Sequence, residues 1–172
     1  MELFDVVDQN GNFLRQATRK ECHGNPELIH QVAHILVFDA DNSLWMQKRS
    51  PDKDIQPGKW DTSVGGHLMP GEHPVTGAVR ETAEEIGITV SEDDLTFCYQ
   101  YIMSNEIETE LVHTYYFKLR EGDSINFDSK EISEGRFWTA REIQKAVGTD
   151  IFTPNFEDEW RRFTIWRRDH DI

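Results

Sequence analysis

The sequence has few cysteines and no long apolar run. Cys22 and Cys98 are its only cysteines, which is too few for a disulfide framework and favours a reducing compartment. No apolar stretch approaches the ~20 residues that a membrane-spanning helix needs. The first residues have neither the basic region nor the apolar core of an export signal, so a cytoplasmic location is expected.

Positive charge is scarce as well. Lys and Arg number 18 against 32 Asp and Glu, which gives a net charge of −14. Such a surface repels nucleic acids and anionic membranes, so we expect neither as a partner. A small anion can still bind where bound cations neutralise a pocket, and a small molecule is therefore the expected partner.

The length and the composition suit one soluble domain. The chain has 172 residues, of which 37% are hydrophobic and 29% are charged. No repeats, low-complexity tracts or linkers interrupt it. We expect a single domain over residues 1–172, with an N-terminal hairpin and connector at 1–30 and a C-terminal helix at 154–172.

Local patterns predict a mixed α/β fold. Asn10-Gly11 favours the positive φ angles of a tight turn, which predicts a hairpin at the N-terminus. A second hairpin is predicted from strands at 32–38 and 44–48. Further strands are predicted over 95–104 and 110–120 because these segments are rich in aromatic and β-branched residues.

Two helices are predicted from their periodicity. Pro74 suits the first turn of a helix and Gly87 the position just after its end, which predicts a helix over 74–86. Its buried stripe is expected to be Ala78, Thr82 and Ile86. The C-terminal helix carries a stripe of aromatic residues that we expect to dock on the domain: Phe156, Trp160, Phe163 and Trp166.

The helix at 74–86 carries an unusual cluster of like charges. Glu81, Glu84 and Glu85 stand at i, i+3 and i+4 and project from one face, where each like-charge pair costs roughly 0.2–0.5 kcal/mol. Either the cluster is a solvated acidic surface, or its carboxylates hold divalent cations such as Mg²⁺ or Mn²⁺. Arg80 stands beside them and can hold one carboxylate in place.

The order of residues around this helix resembles the Nudix box. The matching positions are Gly66, Glu72, Arg80, Glu81, Glu84, Glu85 and Gly87. Thr82 is the one soft match, because the family usually has a larger apolar residue there. The resemblance implies a Nudix α/β/α sandwich with a mixed sheet, and a metal-dependent hydrolase in which the helix glutamates bind Mg²⁺ or Mn²⁺ and a diphosphate bridges the ions.

The resemblance leaves the general base open and allows a homodimer. Glu81 is one candidate base, because the first helix glutamate in the family can ligate a metal or accept a proton. Glu131 and Glu134 are rivals, since Nudix enzymes often recruit an acidic residue from the loop before the corresponding strand. Dimers are common in the family.

A second set of residues resembles type I isopentenyl-diphosphate isomerase, which has the Nudix fold. The resemblance implies a metal site of three histidines and two glutamates, at which a second, transition metal would bind: His23, His30, His67, Glu108 and Glu110. Arg49 and Lys53 match the diphosphate-binding segment of that isomerase. The other histidines, His34, His73, His113 and His170, are interpreted as structural or solvated.

The isomerase interpretation meets three departures. Gly65 stands where the isomerase needs a cysteine, and Asn155 stands where it has an aromatic shield for a carbocation. The isomerase also has a degraded Nudix helix, whereas this chain has Glu81 and Glu84.

We therefore predict a hydrolase of nucleoside diphosphates linked to a moiety X, or of related organic diphosphates. The alternatives are the isomerase and a binding module that senses a diphosphate metabolite. Trp45, Trp60 and Tyr101 can stack on a base or simply pack.

Overall fold

The computed structural model describes residues 1–172 and contains nine strands and four helices. The strands are β1 (Leu3–Val7), β2 (Phe13–Thr18), β3 (Ile29–Phe38), β4 (Leu44–Arg49), β5 (Trp60–Asp61), β6 (Val64–His67), β7 (Thr96–Ser104), β8 (Thr109–Lys118) and β9 (Ile132–Trp138). The helices are α1 (Arg19–Cys22), α2 (Pro74–Ile86), α3 (Ala140–Ala146) and α4 (Pro154–Asp169). None of the helices is long and apolar enough to cross a membrane.

Strand β3 is the centre of the sheet. It pairs in parallel with β8 along its whole length and antiparallel with β1 and β6. The N-terminal hairpin of β1 and β2 is confirmed, and β7 extends the sheet beyond β8. The sheet is therefore mixed, as predicted.

The prediction of a second hairpin from β3 and β4 is wrong in its pairing. Both strands exist, but they pair only at Phe38 and Leu44 and then diverge. Beyond that point β4 pairs with β5 and β9, and β3 pairs with β6. The divergence arises because β6 occupies the edge of β3 that a hairpin would have used, a non-local pairing that the local pattern does not contain.

Helices cover both faces of the sheet, which confirms the α/β/α sandwich. On one face, Ala78 and Ile86 of α2 pack with Ala33, Ile35 and Val37 of β3. The opposite face packs against α3 and α4, through Ile143, Phe156, Trp160 and Phe163. Successive residues of β3 point to opposite faces, so His30 and His34 lie on the α4 side of the sheet.

Helix α2 begins and ends at the predicted residues. Pro74 opens it, and Gly87 follows it with a φ of 70°, a left-handed angle that glycine adopts without strain. Ala78, Thr82 and Ile86 are fully buried, as the periodicity predicted. The hydroxyl of Thr82 donates to the carbonyl of Ala78 at 2.7 Å, so its departure from the usual apolar residue leaves no unsatisfied polar group.

The aromatic residues with two open interpretations pack in the core. Trp45, Trp60 and Tyr101 are all buried, so none of them presents a free face for stacking on a base. In the C-terminal helix, Phe156, Trp160 and Phe163 are buried and Trp166 is partly covered, which confirms the docked helix.

Candidate functional site

The candidate site is organised around Gly65 and Gly66 of β6. This strand pairs only with β3, so its other edge is free. A Cβ atom at Gly66 would lie 2.1 Å from the carboxyl carbon of Glu81, so only glycine allows the helix carboxylate to approach the strand. On the next residue, the backbone N–H of Gly65 donates to Glu85 at 3.2 Å.

Glu85 has a second donor from the sheet. The side-chain amide of Gln47 on β4 donates to it at 3.2 Å and also to the carbonyl of Ser63 at 3.0 Å. Gln47 therefore connects β4, the residue before β6 and α2 at the point where the sheet divides. No local pattern pointed to Gln47, because its position in the site depends on the divergence of β3 and β4.

Arg80 holds the acidic segment together. Its guanidinium donates to Glu72 through two bonds of 2.9 Å, to Glu81 at 2.8 Å and to Glu84 at 3.1 Å, and also to the carbonyl of His67 at 3.0 Å. The bonds from Arg80 keep the pKa of Glu72 below its usual value. Glu72 thus anchors Arg80, which in turn orients two of the three predicted metal ligands.

Two of the helix carboxylates, Glu81 and Glu85, have raised pKa values. Burial, followed by the charge of Glu81, raises the pKa of Glu85 to about 8, although Gln47 and the Gly65 amide oppose the shift. Burial also raises the pKa of Glu81 in spite of its bond to Arg80. Glu84 is largely exposed and turned toward Arg80. The three carboxylates share one face but are not gathered around a common point, because Arg80, Gln47 and Gly65 hold them.

Four of the five residues of the histidine and glutamate set converge on the opposite face of the sheet. The ligand atoms of His23, His30, His67 and Glu108 all lie within 4.8 Å of one another. Glu110 stands beside them, with Oε2 3.5 Å from Nε2 of His30 and 3.8 Å from Nε2 of His67.

The donor atoms of this cluster fit a metal ion. Both ring nitrogens of His30 are buried without a hydrogen-bond partner, and Nε2 of His23 and Oε2 of Glu108, also buried, lie 2.9 Å apart without forming a hydrogen bond. Such orphaned groups are costly unless something else binds them. Burial lowers the pKa of His67 to about 4 and also lowers that of His23, so both rings are neutral at pH 7 and have a lone pair for a metal.

The N-terminal hairpin closes the histidine cluster. Phe4 of β1 is buried and stacks on the rings of His30 and His67, with centroids 4.9 Å and 4.8 Å apart. The sequence identified the hairpin but gave no reason to place Phe4 in the site. Its alternation with Val6 made it an ordinary core residue.

The two predicted phosphate-binding cations have acidic partners. Arg49 donates through Nε to the carbonyl of Ile55 at 3.0 Å and through Nη1 to Asp61 at 3.5 Å. Lys53 forms an ion pair with Glu131, one of the candidate bases. Glu134 lies on β9 opposite Lys48 of β4.

Comparison with known proteins defines the family. The model of the NUDIX domain matches residues 28–156. An isopentenyl-diphosphate Delta-isomerase from Streptomyces avermitilis is 28% identical over 158 residues, which cover 90% of this chain and 79% of that protein. An uncharacterised Nudix hydrolase from Listeria innocua is 25% identical over 158 residues, covering 91% and 90% of the two chains.

A solved structure supports the same fold. A protein from Deinococcus radiodurans has a TM-score of 0.73 and 23% identity to this chain, and the match covers 94% of this chain and 98% of that one. The match over residues 28–156 shows that the chain belongs to the Nudix family. The family prediction is confirmed.

Proposed function

We propose that the protein hydrolyses an organic diphosphate, a nucleoside diphosphate linked to a moiety X or a related compound, with Mg²⁺ or Mn²⁺ bound by Glu81, Glu84 and Glu85. The family match and the relatives named Nudix hydrolases support the class of enzyme, a Nudix-type diphosphate hydrolase. The observation that carries the proposal is the pair of half-buried carboxylates, Glu81 and Glu85, held against the free edge of β6.

The residues of α2 have distinct roles in this proposal. Arg80 positions Glu81 and Glu84, while Gln47 and the Gly65 amide position Glu85. Because its pKa is raised, Glu85 would have to lose a proton to act as a ligand. A divalent ion held by these carboxylates would neutralise the diphosphate oxygens and make a water more acidic. Glu81, Glu131 and Glu134 stay candidates for the carboxylate that would accept a proton from the attacking water.

The histidine cluster is proposed as a second metal site. Imidazole ligands suit Zn²⁺, Mn²⁺ or Fe better than Mg²⁺, so a transition metal is the expected occupant. Its ligands would be His23, His30, His67 and Glu108, and Glu110 would complete the set. The site lies on the α4 side of the sheet, away from α2.

A screen of substrates tests the proposed function. The protein is incubated in Mg²⁺ or Mn²⁺ with nucleotide sugars, dinucleotides, nucleoside triphosphates and prenyl diphosphates, and the phosphate-containing products are measured. Metal-dependent hydrolysis of one class is the expected result. Binding without turnover would favour a metabolite sensor, and isomerisation of a prenyl diphosphate would overturn the hydrolase proposal.

Arg49→Ala is expected to raise KM more than Lys53→Ala. A guanidinium binds phosphate oxygens through paired donors, whereas an ammonium acts mainly as a point charge. Loss of charged hydrogen bonds to phosphate corresponds to roughly 10- to 100-fold in KM. Steady-state kinetics on the best substrate provide the measurement, with Lys145→Ala in α3 as an exposed control. An unchanged KM in both variants would remove the diphosphate role.

Gly65→Cys is not expected to create an efficient isomerase. The new thiol would lack the aromatic shield, because Asn155 stands at that position, and Glu81 would still place negative charge beside the diphosphate. A Cβ at residue 65 would also lie 3.2 Å from Cδ2 of His34, so the side chain enters a crowded space. An isoprenoid isomerisation assay provides the measurement, and robust product formation by the variant would contradict the prediction.

A further inference from the structure

Glu159 of α4 is a carboxylate with no solvent exposure, held by four side chains of the sheet. Its oxygens accept from Thr114 at 3.0 and 3.2 Å, from Tyr101 at 3.2 Å and from Tyr99. Nδ1 of His34 lies 2.9 Å from Oε1 and donates to it, since a carboxylate can only accept. The carboxylate is thus fully bonded, and it fixes the orientation of the imidazole ring.

The other edge of the His34 ring is open. Nε2 makes no hydrogen bond within the protein and is not among the buried unpartnered atoms, and the side chain is 17% exposed. It faces Gly65, where a Cβ atom would lie 3.6 Å from Nε2. Because residue 65 has no side chain, nothing from β6 covers this donor.

Gly65 also connects His34 to the acidic helix. Its backbone N–H bonds to Glu85, while the ring of His34 lies where a Cβ atom of residue 65 would point. Glu85 and His34 therefore meet the same residue of β6 from α2 and from the α4 side of the sheet. A diphosphate beside Glu85 at the free edge of β6 would leave its attached group next to Gly65, the residue that His34 contacts.

We propose that His34, oriented by Glu159, binds an oxygen atom of the X group of the substrate, so that the enzyme selects oxygen-bearing X groups over hydrocarbon ones. This inference rests on the proposed diphosphate site of α2. It assigns a specificity-determining role to a histidine that sequence analysis interpreted as structural or solvated.

Electrostatics favour a charged donor at this position. Burial alone would lower the pKa of His34, but the hydrogen bond and the charge of Glu159 outweigh it and raise the pKa. The charged and titratable groups that face the ring from the surrounding elements are Glu159 of α4, Glu110 of β8 and Asp61 of β5, with Tyr99 and Tyr101 of β7 bound to the same carboxylate. All three carboxylates favour the imidazolium, whose Nε2–H is a donor for oxygen.

The selectivity follows from the cost of leaving this donor without an acceptor. A hydrocarbon group would displace water from Nε2 and offer no hydrogen bond in return. A site that bonds a substrate oxygen therefore discriminates strongly against an analogue that lacks it. Loss of one such contact is expected to change affinity by roughly 10-fold or more.

The test compares the affinities of four probes in matched variants. ADP-ribose and UDP-glucose have oxygen-bearing X groups, isopentyl diphosphate has a hydrocarbon, and inorganic pyrophosphate has neither. Binding is measured by calorimetry with Ca²⁺ in place of Mg²⁺ to slow turnover. The variant is His34→Gln, which removes the charge.

His113→Gln is the matched control. His113 is a buried histidine of β8 that bonds to Gln31 at 2.8 Å and has no part in the proposed sites. Burial lowers its pKa to about 4, so it is neutral at pH 7. Thermal unfolding of both variants monitors their folding.

In His34→Gln, Kd for an oxygen-bearing probe is expected to rise by roughly 10-fold or more, while Kd for isopentyl diphosphate and pyrophosphate stays nearly unchanged. The control should bind all probes like the native protein. The ratio of native affinities for the oxygen-bearing probe and for isopentyl diphosphate should also fall as pH rises above the pKa of His34, and this dependence of the ratio should vanish in His34→Gln.

Three outcomes would overturn the inference: unchanged Kd in His34→Gln, an equal rise for all four probes, or no binding of either oxygen-bearing probe. The hydrolase proposal fails separately. Selective loss of affinity without hydrolysis in Mg²⁺ or Mn²⁺ would reject turnover and keep the role of His34, whereas hydrolysis without this selectivity would reject the role of His34 alone.

Discussion

Glu85→Gln is expected to lower turnover by ~10²-fold or more while the protein stays folded, because the substitution removes a ligand charge from metal-assisted chemistry. The amide keeps the size of the side chain and can still accept from Gln47 and the Gly65 amide through its oxygen. Steady-state kinetics at increasing Mg²⁺ provide the measurement. Near-normal activity with an unshifted Mg²⁺ requirement would reject the metal assignment.

The same substitution is expected to stabilise the metal-free protein. The pKa of Glu85 is raised to about 8 in the folded state, from an ordinary value of 4.5. Between these values the unfolded carboxyl is ionised and the folded one is protonated, so the stability of the native protein falls as pH rises. With EDTA at pH 8, the Tm of Glu85→Gln should exceed that of the native protein by roughly 3–6 °C, the equivalent of about 1–2 kcal/mol.

The pH dependence of the Tm gain and a control variant distinguish the loss of the Glu85 charge from a general stabilisation by removal of any surface charge. The gain in Tm should shrink toward zero as pH falls through 4.5, the ordinary pKa of the carboxyl, because well below it Glu85 is protonated in both states. Glu92→Gln serves as the control, because Glu92 accepts from Thr76 at the start of α2 and lies at an exposed position. Its activity and Tm should change little. A stability gain that is constant over this pH range would contradict the assigned cause.

The protein as purified is expected to contain about one equivalent of a transition metal that His67→Ala loses. The ligand atoms of His23, His30, His67 and Glu108 already lie within 4.8 Å of one another, and both ring nitrogens of His30 are buried without a hydrogen-bond partner. Loss of groups that only orient a ligand costs roughly 10- to 100-fold in metal affinity, and loss of the ligand itself should cost at least as much. Elemental analysis of both proteins provides the measurement.

Chelation offers an independent measurement of the same site. EDTA should lower the Tm of the native protein, since metal binding stabilises only the folded state, and it should have little effect on His67→Ala. His113→Ala is a control for the loss of a buried histidine outside the cluster. Absence of a stoichiometric metal in both proteins would instead indicate that the residues are an inherited scaffold.

Local sequence determined much of the fold. Pro74, Gly87 and the stripe of Ala78, Thr82 and Ile86 specified α2 to the residue, because capping and periodicity act within a few turns. Asn10-Gly11 likewise specified the N-terminal hairpin, whose strands pair as expected. The order of residues from Gly66 to Gly87 was enough to indicate the family.

Tertiary structure decided the partners of the site residues. Local sequence proposed a hairpin of β3 and β4, but their divergence is what brings Gln47 to Glu85 and leaves the edge of β6 free. Phe4 became the cover of the histidine cluster only when β1 paired with β3.

His34 shows most clearly that tertiary structure decides the partners of a residue, because the sequence alone led to its interpretation as structural or solvated. Its partner Glu159 is 125 residues away in the chain and meets it only after α4 docks on the sheet. The sequence by itself determined the acidic helix and the C-terminal helix, because each depends on spacing within a short segment, while the histidine set was implied by the resemblance to the isomerase. Only the tertiary structure decided which distant residues lie beside each side chain of the site. Burial and hydrogen bonding across the sheet depend on contacts that no local pattern contains.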